Sequence, residues 1–257
     1  RQEDLAALAL AVSKFDAPLL PVGSAGFAAA LQPFWNERLA ARSADLLVVG
    51  GMSPFQLESQ KWSQGKILAR TAPVLVISGS ANAVTLDQLG HLGATARVVL
   101  LDVKRLLLTE SGSPIHDEIA MSGRQALQGL LAGRDVVVTT ALTADQVARD
   151  QELGLHLGMT RGQVGTALAS ALGAMARHLS GLATLSGIVV AGGETADAVC
   201  QALPGERLEI MGEIGPTIPL LRVVGRNLRV VTKSGGFGEA DSLRLIVDQL
   251  RQTEEVA

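Results

Sequence analysis

The chain has 257 residues, enough for one large α/β domain or two small ones. Its 47% hydrophobic content, mean hydropathy of +0.30 and net charge of −3 describe a core-rich chain that needs no disulfide or metal staple. They also argue against a broad nucleic-acid surface, and aromatics at 3% with no tyrosine leave few platforms for stacking single strands.

In chain order, residues 1–15 read as a helix. The apolar stretch Leu5 to Val12 is too short to span a membrane and lacks the flanks of an export signal. The first residue is Arg1, within this helical pattern, so a preceding segment is expected. Pro18-Leu19-Leu20-Pro21-Val22 reads as a short strand running into Gly23-Ser24-Ala25-Gly26, followed by a helix to about residue 42. Asp45 to Gly51 has a buried-strand signature with a glycine exit. Residues 52–71 are polar, contain Pro54 and Gly65, and read as a linker or mobile loop.

From Ala72 the rhythm becomes regular. Strands are expected at 73–77, 97–101, 135–140 and 188–190, with two short ones at 220–224 and 228–231. Helices are expected from about Thr85, around 117–132, over 161–180, after Gly192-Gly193 to about Leu203, and at about 239–252. Gly165 and Gly173 suggest close packing of the long helix. Strands apolar on both faces, alternating with amphipathic helices, imply an α/β fold: three layers, α/β/α, around a mostly parallel sheet.

Ligands of an open parallel sheet bind where strand ends meet helix N-termini. Three strand exits are rich in Gly and Ser: Ser78-Gly79-Ser80, Gly192-Gly193-Glu194-Thr195 and Ser234-Gly235-Gly236-Phe237-Gly238. Glycine lets backbone approach a ligand closely, and free N–H groups at a helix start favour an anion. Read singly, Gly192-Gly193 is as well explained as a tight turn with Thr195 as helix N-cap, and Ser78 and Ser80 as turn residues. Lys233 beside the last cluster is either a phosphate contact or a solvated lysine. No GxxxxGK[ST], GxGxxG or GxSxG pattern occurs. The four histidines, His91, His116, His156 and His178, form no HxH or HxxxH pair, so no protein metal site is expected. Cys200 is the sole cysteine; it reads as a small apolar helix residue, and a chain without a disulfide suits a cytoplasmic address.

The order of these motifs resembles the four-carbon acid sugar kinase family (3-oxo-tetronate and D-threonate kinases), in its C-terminal nucleotide-binding domain. The resemblance rests on Val76-Ile77-Ser78-Gly79-Ser80 with Thr85 and Gln88, and on Val189 to Ala196. It continues through Glu213-Ile214-Gly215-Pro216 with Pro219-Leu220, and through Thr232 to Gly238. Gly23 to Ala28 resembles the segment closing the family's N-terminal acid-sugar domain. The chain departs from the family pattern at Thr217, at Gly236 and at Ala81 to Val84.

The resemblance implies a division into 1–44, a remnant of the acid-sugar-binding domain; 45–71, a linker or crossover; and 72–257, the nucleotide-binding domain. It implies a kinase that transfers the γ-phosphoryl group of ATP, with Mg²⁺, to the terminal hydroxyl of a four-carbon acid sugar. Most of the acceptor-binding half lies outside this chain, so the chain alone is expected to be inactive. The implied nucleotide-binding residues are Ser78, Ser80, Gly192, Gly193, Glu194, Thr195, Gly235, Gly236 and Gly238, with Lys233 as a candidate phosphate contact. Glu194 is a candidate for positioning Mg²⁺ through water. The partners implied are ATP and a small acid sugar, with neither nucleic acid nor membrane, and a homodimer is compatible. Two other readings stay open: a non-catalytic nucleotide-sensing or interaction module on the same fold, and a dinucleotide domain, which lacks its fingerprint.

Overall fold

The computed structural model describes residues 2–14, 72–108, 114–205, 207–215, 217–226 and 228–252. The chain divides into two compact units, Arg1–Ser53 and Pro54–Ala257. In the first, the described part is helix α1 (Gln2–Ser13), as the apolar stretch there suggested. The strand, glycine segment and second helix expected at 18–42, the strand at 45–51 and the segment 52–71 lie outside the described residues.

The second unit begins with β1 (Val74–Ser78), α2 (Ala83–Gly93), β2 (Arg97–Leu100) and the single-turn α3 (Val103–Leu107). Next come α4 (Pro114–Leu131), β3 (Val136–Thr139), α5 (Ala144–His156), α6 (Arg161–Leu182), β4 (Gly187–Ala191) and α7 (Gly193–Ala202). It closes with β5 (Leu208–Gly215), β6 (Ile218–Val223), β7 (Arg229–Lys233) and α8 (Ser242–Gln252).

The strands assemble in the order β2-β3-β1-β4-β7-β6-β5. Neighbours from β2 to β7 run parallel, while β6 is antiparallel to both β7 and β5. This is the α/β class with the mostly parallel sheet expected from the sequence. The period-2 alternation of a strand sends successive side chains to opposite faces. Leu75, Ile77, Val136, Val138, Ile188 and Val190 therefore meet α3, α4, α6 and α7 through Leu106, Leu130, Leu172, Met175 and Val199. Val74, Val76, Val137, Val189 and Val231 meet α2 and α8 through Leu89, Leu92, Leu243, Ile246, Val247 and Leu250. The α8 residues are spaced to form one helical stripe, and fully burying each such side chain contributes about 1.5–3 kcal/mol.

Three elements escaped the sequence pattern: the single turn of α3, too short to show a helical period, α5 and β5. α5 has only Gly154 fully buried, so it carries no apolar stripe to betray it. Its start does carry a signal: Thr143 and Gln146 form a reciprocal capping box, a pairing that satisfies two orphan donors at once. β5 is an edge strand with no fully buried residue and register shifts near Gly212 and Glu213; its charges blunt the edge and mask the strand alternation. Gly173 accounts for the α6–α7 contact, because a Cβ there would lie 2.7 Å from the Ala198 carbonyl oxygen.

The topology sets where a ligand can enter. After β1 the chain passes to the α2 face, and after β4 it passes to the α7 face. Adjacent parallel strands whose connections diverge leave a crevice at their carboxyl ends.

Candidate functional site

That crevice is a cleft of about 500 Å³. Its floor and near walls are the exits of four strands: Gly79 to Asn82 after β1, Thr140 and Ala141 after β3, Gly192 to Thr195 after β4, and Ser234 to Gly236 after β7. Helices α5 and α6 close one side with Val147, Asp150, Gln151, Arg161, Gly165 and Leu168.

The β4 exit is built to present amides. Gly192 is the N-cap of α7, at φ 108, and no side chain caps the helix. Such a dihedral favours glycine. The first intrahelical bond runs from Ala196 N to Gly192 O, so the amides of Gly193, Glu194 and Thr195 are the orphan donors of a helix start. The macrodipole adds partial positive charge there. Thr195 is thus the third residue of the helix rather than its N-cap, and it is buried against the β1 exit. A Cβ on Gly79 would lie 2.5 Å from Thr195 Oγ1 and 2.9 Å from Leu172 Cδ1, so the β1 exit passes the helix start only as glycine. A Cβ on Gly193, by contrast, would meet nothing within 4 Å.

The β7 exit, beside the β4 exit in the sheet, forms the next part of the rim. The amides of Gly235 and Gly236 have no acceptor among the described residues. The carbonyls of the same loop are occupied from behind. Thr85 Oγ1 donates to Gly235 O at 2.7 Å, and Gln88 Nε2 donates to Phe237 O at 3.1 Å and Glu239 O at 2.8 Å. Both side chains are fully buried in α2.

Seven of the residues expected from the sequence, Ser80, Gly192, Gly193, Glu194, Thr195, Gly235 and Gly236, line this single cleft. The other three do not. Ser78 is fully buried at the end of β1, and its hydroxyl has no hydrogen-bond partner among the described residues. Gly238 adopts φ 89 beneath the loop, where a Cβ would lie 2.5 Å from Ser242 Oγ and 3.2 Å from Gln88 Nε2. Lys233 is 2% exposed and donates from Nζ to Ser234 O at 3.1 Å, so it is not a solvated lysine. Burial holds its ammonium below the ordinary lysine range.

Sequence reasoning missed the α5–α6 wall. Asp150 has its carboxyl pushed up, chiefly by burial, opposed by Arg149 and reinforced by Asp102. Gln151 holds a buried amide oxygen without a partner among the described residues. Glu194 faces α6 across Gly165, where a Cβ would lie 2.7 Å from its Oε2. Cys200 is half-buried on α7 rather than in the core, with its thiol pushed up by burial and then by Asp197. Among the described residues no cluster of three or more His, Cys, Asp or Glu is grouped to hold a metal, and no helix is long and apolar enough to cross a membrane.

Fold and cleft together define an open α/β domain with uncapped backbone amides at the rim of its topological switch point. The family described as the nucleotide-binding C-terminal domain matches residues 75–243, and the chain belongs to it. A D-threonate kinase of Salmonella typhimurium is 30% identical over 187 residues, spanning 72% of this chain and 43% of that protein. A 3-oxo-tetronate kinase of Pseudomonas savastanoi is 32% identical over 186 residues, 72% of this chain and 40% of that protein. The resemblance read from the ordered motifs is borne out by these matches. Among solved structures, a Haemophilus influenzae protein of the DUF1537 family superposes with a TM-score of 0.63 at 21% identity, covering 97% of this chain and 51% of the other; that likeness speaks for the fold. The chain spans about half the length, or less, of these relatives.

Proposed function

We propose that this chain is the nucleotide-binding half of an ATP-dependent kinase that phosphorylates the terminal hydroxyl of a four-carbon acid sugar. The observation that carries the reading is that two groups of amide donors line one cleft. The α7 start offers the N–H groups of Gly193, Glu194 and Thr195, and the β7 exit offers those of Gly235 and Gly236. A polyphosphate needs such fixed donors on more than one side. The kinases among the relatives supply the reaction class and the kind of acceptor.

Phosphoryl transfer asks little covalent work of the protein; it depends on positioning and on donors that take up charge developing on the phosphate oxygens. In this reading the α7 amides hold the phosphate chain and the Gly235–Gly236 lip covers it. The glycine at 193, which nothing in the packing requires, keeps the approach open. Mg²⁺ would supply charge neutralisation between the phosphates. Its preference for oxygen donors, retained waters and one or two carboxylates suits Glu194 and Asp150, the acidic residues that line the cleft. Acceptor recognition and the catalytic base belong, in the same proposal, to the half that these relatives possess beyond the span matched here.

Calorimetric titration of the chain with ATP, with and without Mg²⁺, tests the reading. Binding of ATP that tightens with Mg²⁺ is expected. Failure to bind ATP together with clear binding of NAD would sink it. ATP binding by a two-domain relative of this chain that phosphorylates no four-carbon acid would leave a nucleotide-sensing module.

A further inference from the structure

Resting on the nucleotide reading above, we infer that Thr85, Gln88 and Lys233 are positioning residues that aim the amides of the β7 exit loop into the cleft. None of the three lines the cleft, and all are buried: Thr85 and Gln88 completely, Lys233 to within 2%. Each donates to a carbonyl of the same short loop. Lys233 Nζ reaches Ser234 O at 3.1 Å, Thr85 Oγ1 reaches Gly235 O at 2.7 Å, and Gln88 Nε2 reaches Phe237 O at 3.1 Å and Glu239 O at 2.8 Å.

The consequence follows from peptide geometry. In a planar trans peptide, the C=O of one residue and the N–H of the next point in opposite directions. Tying Ser234 O to Lys233 therefore turns the Gly235 N–H away from that anchor, and tying Gly235 O to Thr85 does the same to the Gly236 N–H. Those two glycines line the cleft, and their amides lack acceptors among the described residues. Glycine has the widest choice of backbone states, so without the anchors this loop would sample peptide orientations that present carbonyl oxygens to an anion. The anchors select the orientation that presents donors.

The spacing supports the assignment. Thr85 and Gln88, three apart on α2, share one face and straddle the loop, with Gln88 bridging two carbonyls through a single amide nitrogen. A Cβ on Gly238 would lie 3.2 Å from that nitrogen, so the glycine there lets the chain pass over its anchor. Lys233 also places a positive charge behind the loop without touching the cleft.

The test compares the 257-residue chain with Thr85→Val, Thr85→Ser and Gln88→Met, measuring ATP–Mg²⁺ affinity by calorimetry and stability by urea unfolding. Thr85→Val is expected to weaken ATP about tenfold, since one lost buried hydrogen bond that governs orientation is worth roughly a decade. Thr85→Ser, which keeps the hydroxyl, should stay within about twofold. Gln88→Met should weaken ATP at least as much as Thr85→Val. Inorganic tripolyphosphate, which has no nucleoside, should lose affinity in parallel. Unaltered ATP affinity in a folded Thr85→Val or Gln88→Met chain would overturn the inference while leaving the nucleotide reading intact. If Thr85→Val does not fold, Gln88→Met and Thr85→Ser decide by the same criterion. A wild-type chain that binds neither ATP nor tripolyphosphate overturns the nucleotide reading, and this inference with it.

Discussion

The two ends of the parallel sheet carry polar groups of opposite fate. At the amino end they are closed on one another. Asp135 Oδ1 accepts from Val74 N at 2.8 Å and from Arg251 at 2.9–3.0 Å. Arg229 Nε donates to Ser186 O, and Ser186 Oγ to Ala72 O. At the carboxyl end, among the described residues, the donors are left open: the α7 amides have no cap, Gly235 and Gly236 no acceptor, and Ser78 Oγ no partner. Buried polar groups are normally paired because leaving one unmade costs about 1–3 kcal/mol. The pairs at the amino end serve stability; in the proposed reading the donors left open at the carboxyl end await a ligand.

The comparison breaks first at Asp135. Asp135→Ala removes the acceptor of a backbone amide and the partner of Arg251 together, and should destabilise by about 2–3 kcal/mol in urea unfolding. ATP affinity should hold within about twofold, because the damage lies at the closed end. Gly193→Val is its mirror image. The Cβ would meet nothing within 4 Å, so the unfolding midpoint should barely move. ATP should weaken about 30-fold as the side chain fills the approach to the α7 amides, an order of magnitude set by the charge-assisted bonds at stake.

Lys233 sharpens the contrast through pH. Its folded-state pKa is lowered by burial, so between that lowered value and the ordinary lysine range the unfolded chain binds the proton more fully. Stability then rises with pH in this window. Wild type should gain on Lys233→Met as pH climbs through that window towards the ordinary lysine range, seen in parallel urea titrations. Ser78 gives the smallest effect. Its hydroxyl is buried and unpaired among the described residues, so Ser78→Ala should be neutral or stabilising by up to about 1 kcal/mol, without loss of ATP affinity. A large drop in affinity would show that the hydroxyl acquires a ligand partner in the bound state.

Much of this molecule was written locally. Runs such as Val74 to Ile77, Val136 to Val138 and Ile188 to Val190 are apolar without alternation, and only a strand covered on both faces has use for that pattern. Glycine clusters at the ends of such runs marked the exits, and their order carried the family resemblance before any geometry was known. What local pattern could not convey is which side chains share an environment. α5 was invisible because a helix lying along a cleft needs no apolar stripe, and with it went Asp150 and Gln151. Lys233 read as a surface or phosphate-facing charge, because sequence gives residue type and not depth. Only the register of β4 with β7, which sets Ala191 beside Lys233, and the packing of α2 and α8 over that face put it underground. Thr85 and Gln88 were visible as motif residues with no task. Their task lies about 150 residues away in the chain, and a contact across that separation is decided by the closing of the sheet, not by the neighbours of either residue.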